Sequence, residues 1–146
     1  MQHVMIDLYQ IDPARLTDRA LLLKVLSEYP GEIGMEAAGP PVLRDITTST
    51  PLDDGMSGFT IIYTSHCSLH AWPEYGMVNL DVFSCNSFET ERAVAFAKAM
   101  FATEDAEVHV VERATRSPRE MVMQEASRVA PSSCVSHLTP RPQPLI

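Results

Sequence analysis

The chain has 146 residues, 45% of them hydrophobic, which is enough apolar material for one packed core and too little length for a multidomain assembly. Eleven Lys and Arg against nineteen Asp and Glu leave a formal charge of −8, which argues against the clustered basic footprint that nucleic-acid phosphates require. The start carries no basic segment leading into a long apolar stretch, and no apolar run is long enough to span a bilayer, so a soluble, cytoplasmic protein is expected.

In chain order, Val4, Ile6 and Leu8 alternate with Met5, Asp7 and Tyr9, which predicts a half-buried strand over His3 to Tyr9, broken by Asp12-Pro13. Asp18 is placed to cap a helix running to about Glu28, with Leu21, Leu22, Val25 and Leu26 as its apolar stripe and Tyr29-Pro30-Gly31 as its stop. Residues 31–41 hold Gly31, Gly34, Gly39, Pro40 and Pro41 and read as an irregular connection before a strand over Val42 to Thr47. Thr47 to Gly58 is rich in Thr, Ser, Asp, Pro and Gly, a loop of the kind that often carries binding residues. Phe59 to Tyr63 reads as a central strand ending at Thr64-Ser65, and Trp72 to Gly76 as a turn around Pro73. Met77 to Cys85 alternates, with Val78, Leu80 and Val82 on one face and Asn79, Asp81, Phe83 and Cys85 on the other. Ala93, Val94, Ala97 and Phe101 predict a helix over Thr90 to Phe101, and Glu107 to Glu112 a last strand. From about Thr115 the patterning degrades into a short helix over 117–128 and a Pro-containing tail over 129–146. The division expected is a domain over 1–115 and a flexible extension over 116–146. The order β-α-β-β-β-α-β predicts an α+β two-layer sandwich, an antiparallel sheet covered on one face by two helices.

The densest chemistry lies in Thr64-Ser65-His66-Cys67-Ser68-Leu69-His70-Ala71-Trp72-Pro73-Glu74, followed by Cys85. A hydroxyl, two imidazoles, a carboxylate and a thiol fall together there, between segments that read as strands. His66, Ser68 and His70 share parity but lack a separated third ligand at zinc spacing, so no metal is expected. Cysteines at 67, 85 and 134 form an odd set without CxxC, which suits a reducing compartment; Cys67 and Cys134 read as structural.

The string Ser65-His66-x-Ser68-Leu69-His70-x-Trp72-Pro73-Glu74-Tyr75-Gly76, then Asp81-Val82-Phe83-Ser84-Cys85, resembles the short bacterial and archaeal S-adenosylmethionine decarboxylase proenzymes. The likeness extends through Gly55-Met56-Ser57-Gly58 and Val108-His109-Val110-Val111-Glu112, covering roughly residues 3–115. It implies the same sandwich fold and a homodimer of processed protomers with active sites shared across the interface. It also implies self-cleavage between Thr64 and Ser65, in which Ser65 becomes a pyruvoyl group that forms a Schiff base with the substrate. No pyridoxal phosphate or metal is then needed.

By this resemblance Ser65 is the pyruvoyl precursor, His70 the proton acceptor in processing, Ser57 a processing serine that hydrogen-bonds the ester intermediate, and Cys85 the proton donor after carbon dioxide leaves. Glu74 matches an acid that holds the ribose hydroxyls, and Trp72 and Tyr75 are walls for adenine or sulfonium. Of the two histidines, His70 alone is assigned a role; His66 reads as a surface or core residue. Two departures stand out: Thr64 replaces the family's usual Glu, and its β-branch crowds the attacked carbonyl. The loop Thr50-Pro51-Leu52-Asp53-Asp54 has no aromatic to stack on adenine, and Asp53 and Asp54 could hold a second positive charge instead. The expected substrate is S-adenosylmethionine, for spermidine biosynthesis. Arginine or ornithine decarboxylation, and an unprocessed non-catalytic homologue, are the alternatives.

Overall fold

The computed structural model describes residues 1–114, whose first compact unit is Met1–Arg113; the helix expected over 117–128 and the tail over 129–146 lie outside the described residues. Six strands, β1 (Gln2–Leu8), β2 (Val42–Ile46), β3 (Gly55–Ile62), β4 (Ser65–Trp72), β5 (Met77–Ser84) and β6 (Ala106–Glu112), form one sheet in the order β2-β3-β4-β5-β1-β6. Every neighbouring pair is antiparallel. Three helices accompany them, α1 (Pro13–Leu16), α2 (Arg19–Glu32) and α3 (Thr90–Phe101). The α+β sandwich is therefore observed, with α2 on β2 to β4 and α3 on β1.

Strand parity decides which face the helices cover. Val4, Ile6 and Leu8 of β1, Cys67, Leu69 and Ala71 of β4, and Val78, Leu80 and Val82 of β5 are all buried, and they form one core with Leu22, Val25, Leu26 and Tyr29 of α2 and Ala93, Ala97 and Phe101 of α3. Among the described residues the opposite face carries no helix and presents the other parity, including His66, Ser68, His70 and Trp72 of β4. Among the described residues no helix is long and apolar enough to cross a membrane.

Five local expectations need correction. The stretch after Ser65 is itself a strand, so there are six strands rather than five: its apolar alternates Cys67, Leu69 and Ala71 carry the period of a half-buried strand. The segment before Gly58 is not all loop, because β3 begins at Gly55 and puts Ser57 in the ladder. A Cβ on Gly55 would lie 2.0 Å from the carbonyl oxygen of Ala71, so only glycine permits that close strand approach. Asp12-Pro13 does not merely break the chain; Asp12 accepts from the Ala14 N–H at 2.9 Å and caps α1, with Pro13 at its first position. Strand β5 ends at Ser84, so Cys85 lies just past the ladder, exposed, and not within it.

The fifth correction concerns α2, which continues through Pro30 to Glu32 instead of stopping at Tyr29. Pro30 has no N–H to offer the Leu26 carbonyl four residues back, which would leave that carbonyl orphaned in the core. The Thr60 hydroxyl donates to it at 2.8 Å in a buried bond. A side chain from β3 thus replaces the missing helical donor, and the proline is tolerated. In a Ser65→Ala background, which removes the serine expected to cleave the chain, Thr60→Val should lower stability by about 1–3 kcal/mol in urea unfolding. Adding Pro30→Ala, which restores a backbone donor to Leu26, should recover most of that loss; strictly additive effects would disprove the substitution of one donor for the other.

Candidate functional site

Strands β3 and β4 are joined by the two-residue turn Tyr63-Thr64, with Ile62 paired to Ser65. The favoured two-residue hairpin turns need positive φ at one or both central residues, yet neither Tyr63 nor Thr64 has it. The irregularity falls instead on Ser65, whose φ is 152°, a region that belongs almost entirely to glycine. The ladder holds Ser65 there from both sides, through Ile62 on β3 and Ser84 on β5.

The Thr64–Ser65 bond is gripped by the end of β5. The Cys85 backbone N–H donates to the Thr64 carbonyl oxygen at 3.0 Å. Thr64 Oγ1 accepts from the buried Ser84 hydroxyl at 3.0 Å and donates to Met35 Sδ at 3.3 Å, which turns this side chain toward the covered side of the sheet. Ser65 Oγ lies 3.1 Å from His66 Nδ1. The exposed Cys85 therefore adjoins the Thr64–Ser65 bond through its main chain. Cys67 is different: burial pushes its thiol up to about 12, in keeping with a structural role.

A second cluster sits toward the other end of β4. Ser57 and His70 are register partners, and Ser57 Oγ contacts His70 Nδ1 directly. Burial holds the His70 imidazole below its usual range, so it is neutral at pH 7. The Trp72 ring stands edge-on to it, with centroids 4.0 Å apart. Trp72 Nε1 donates to Asn79 Oδ1 at 2.8 Å, and Asn79 Nδ2 donates to Asp7 Oδ1 at 2.6 Å, which fixes the amide orientation because a carboxylate only accepts. Asn79 and Asp7 were not singled out in the sequence, although their parity with His70 was available to find them.

Glu74 and Asp54 line a cavity of about 410 Å³ together with Asp45, Thr47 and Thr17. Asp53 instead accepts from the exposed Tyr75 hydroxyl at 3.1 Å, and Tyr75 stands edge-on to Trp72. Gly76, at φ 60°, ends this turn in the left-handed conformation and lets β5 begin. At the far edge of the open face Asp7, Glu107 and His109 bring ligand atoms within 4.8 Å of one another, an arrangement that exposed acidic groups commonly adopt without an ion.

The expected site residues thus form two groups rather than one. Thr64, Ser65 and Cys85 lie at one end of β4, and Ser57, His70 and Trp72 at the other. Five strand positions separate Ser65 from His70, or roughly 17 Å.

With this geometry in hand, likeness to known proteins is informative. A family model described as S-adenosylmethionine decarboxylase matches residues 2–114. The S-adenosylmethionine decarboxylase proenzyme of Acetivibrio thermocellus is 33% identical over 112 residues, covering 70% of this chain and 84% of that protein. The corresponding proenzyme of Parasynechococcus marenigrum is 37% identical over 84 residues, covering 58% of this chain and 61% of that protein's length. An arginine decarboxylase proenzyme of Hyperthermus butylicus is 33% identical over 88 residues, covering 59% of this chain and 58% of that protein. The crystal structure of the adenosylmethionine decarboxylase from Aquifex aeolicus superposes with a TM-score of 0.66 at 20% identity, covering 80% of this chain and 92% of that one, and so supports the fold. With its family model spanning nearly all of the described residues, the chain belongs to the S-adenosylmethionine decarboxylase family.

Proposed function

We propose that this protein is a self-processing decarboxylase of S-adenosylmethionine that generates a pyruvoyl group from Ser65, and that its complete site requires two copies of the chain. The observation that carries this reading is the state of the Thr64–Ser65 bond. Its carbonyl is already hydrogen-bonded by an N–H, and the residue bearing the nucleophile is held in a disfavoured backbone conformation.

In the first step Ser65 Oγ attacks the Thr64 carbonyl carbon while the carbonyl oxygen takes up negative charge. The Cys85 N–H is aimed at that oxygen and stabilises it. The C–N bond then breaks and nitrogen takes a proton, leaving an ester on Oγ and a free amine on Ser65, with the strain at φ 152° relieved. In the second step a base removes the Ser65 Cα proton and the Thr64 carboxylate leaves. The resulting dehydroalanine takes up a proton at Cβ to become an imine, and water adds at Cα and displaces ammonia, which completes the α-keto end. A neutral imidazole suits the proton removal, and burial keeps His70 neutral. Once formed, the pyruvoyl carbonyl supplies an electron sink for loss of carbon dioxide from an α-amino acid. Cys85, exposed and joined to Thr64 through its main chain, is the group assigned to return a proton to the substrate carbon.

His70 is roughly 17 Å of strand away from Ser65 in its own chain. The two groups meet if two sheets pack about a two-fold axis with the faces that carry His66 and His70 together. His70 and Ser57 of one protomer then approach Ser65 and Cys85 of its partner. Phe59 and Ile61 lie between the two clusters on that face and are 40% and 58% exposed, apolar area that such packing would bury.

The substrate is a cation under either chemistry, and the acidic cavity of Asp45, Asp54 and Glu74 suits a sulfonium or a guanidinium. A second reading, a basic amino acid as substrate, is supported by Asp54 in that cavity and by the Hyperthermus butylicus relative.

Three measurements test these assignments. Intact mass of purified protein should reveal two chains meeting at Ser65, the larger one blocked at its amino terminus, and Ser65→Ala should stay whole; a single full-length unmodified chain would refute processing. His70→Ala should stall at an ester that hydroxylamine opens. Co-expression with Ser65→Ala should restore complete cleavage of the His70→Ala chain, because the mixed dimer holds one intact site; no restoration would place both groups in one chain's site. Carbon dioxide release should be fastest from S-adenosylmethionine, and faster release from arginine or ornithine would transfer the assignment to the second reading.

A further inference from the structure

The proposed first step needs an acceptor for the Ser65 Oγ proton, and His70 is too far along its own strand to serve. The neighbour within reach is His66, whose Nδ1 is 3.1 Å from Ser65 Oγ. Consecutive residues of a regular strand point to opposite faces and do not meet in this way. The contact exists because φ at Ser65 departs from strand values, so the feature that strains the scissile residue is also found where its hydroxyl meets the imidazole.

The His66 ring is fixed in place. It stacks on Phe59 with centroids 5.1 Å apart and 24° between planes, and it meets the edge of Phe83 at 5.9 Å. Arg113 covers the Phe83 ring at 4.5 Å, and His3 lies against the same ring at 5.6 Å. An imidazole held between two aromatic rings loses little further freedom when it engages a neighbouring hydroxyl.

We infer that His66 is a catalytic residue of self-processing, the general base that accepts the Ser65 Oγ proton as Oγ bonds to the Thr64 carbonyl carbon and returns it to the departing Ser65 nitrogen. This rests on the self-cleavage reading and divides the labour: His66 of the same chain forms the ester, and His70 of the partner subunit resolves it. The proton count closes, since the one taken from Oγ appears on the new amine and no outside acid or base is consumed. The required tautomer has Nε2 protonated and the Nδ1 lone pair toward Oγ.

The charge environment agrees with this role. Burial lowers the His66 pKa first, and His3 on β1 and Arg113 beyond β6 lower it further; Asp81 on β5 opposes them, while β3 contributes only Phe59 and Ile61. His66 is therefore neutral below the ordinary imidazole midpoint of 6.5 and can accept a proton throughout the neutral range. Ester formation should lose rate only in more acidic solution.

The test isolates the first step by working in the His70→Ala chain, where the ester accumulates and hydroxylamine reports it. Adding His66→Ala should slow hydroxylamine-dependent cleavage by about 100-fold, the usual scale of one general base. His66→Asn keeps a hydrogen-bonding group near Nδ1 but cannot take the proton, and it should be equally slow. Free imidazole should restore the His66→Ala rate, a rescue that a packing role would not give. Circular dichroism of each variant checks folding. Cleavage of both double variants within twofold of His70→Ala would overturn the inference. If the unmodified chain itself stays whole, the self-cleavage reading fails and this assignment falls with it, whereas normal processing with an unaffected His66→Asn removes this assignment alone.

Discussion

The hydrogen bond from the Cys85 N–H to the Thr64 carbonyl ties the tip of the β3–β4 hairpin to the end of β5, and the geometry around Ser65 follows from it. A free two-residue turn with no positive φ at its centre would splay its strands. Here the third strand clamps the turn from the side, through the Cys85 bond and the Ser84 hydroxyl on Thr64. The ladder on both edges of Ser65 leaves no slack to absorb the mismatch, so φ at that residue takes it up. Strain of this kind persists only where surrounding contacts over-determine it. Because Ser84 is fully buried and its hydroxyl also accepts from the Asn86 N–H at 3.0 Å, the clamp is itself anchored in the core.

Much of this was legible in the chain. Alternation identified β1 and β5, helical spacing identified α3 over the observed Thr90–Phe101, and the family resemblance named the residues that cluster around Thr64–Ser65 and Ser57–His70. What was missed has particular causes. The polar members of Ser65 to Trp72 draw attention as chemistry and hide the Cys67, Leu69, Ala71 alternation beneath them. Pro30 is a local stop signal, and no local pattern announces that Thr60, thirty positions later, will supply the missing donor. His66 looked like an ordinary histidine because its contact with Ser65 depends on a backbone angle, and residue types do not encode an angle imposed by a third strand.

The same limit governs the division of the site. Spacing in sequence places Ser65, His70 and Cys85 close together, but a strand converts five residues into roughly 17 Å. A hairpin does the opposite, bringing Ser57 to His70 across thirteen positions. Register thus sorts the polar residues into one cluster that holds the Thr64–Ser65 bond and another that holds a neutral imidazole. The second cluster is itself ordered by a row across the sheet, in which Asp7 orients Asn79, Asn79 holds the Trp72 indole, and Trp72 walls the His70 ring. A dimer that opposes the open faces is the arrangement under which both halves become one site.

The replacement of the family's usual Glu by Thr64 can be weighed on this geometry. A β-branched residue would hinder attack if its side chain occupied the path of Ser65 Oγ. Thr64 Oγ1 instead bonds Ser84 and Met35 on the covered side, while Ser65 Oγ meets His66 on the open side, so the two groups diverge. The contributions to ester formation also have unequal size. Backbone strain of about 1–3 kcal/mol accelerates the step by roughly 5- to 150-fold at most. An oriented N–H on the developing oxyanion contributes about 10²–10³, and a general base about 10²–10⁴. In the proposed mechanism the two larger factors come from the Cys85 main chain and the His66 ring, neither of which depends on the identity of residue 64. In the proposed mechanism threonine at position 64 is therefore compatible with ester formation, because its side chain lies away from the attacking hydroxyl.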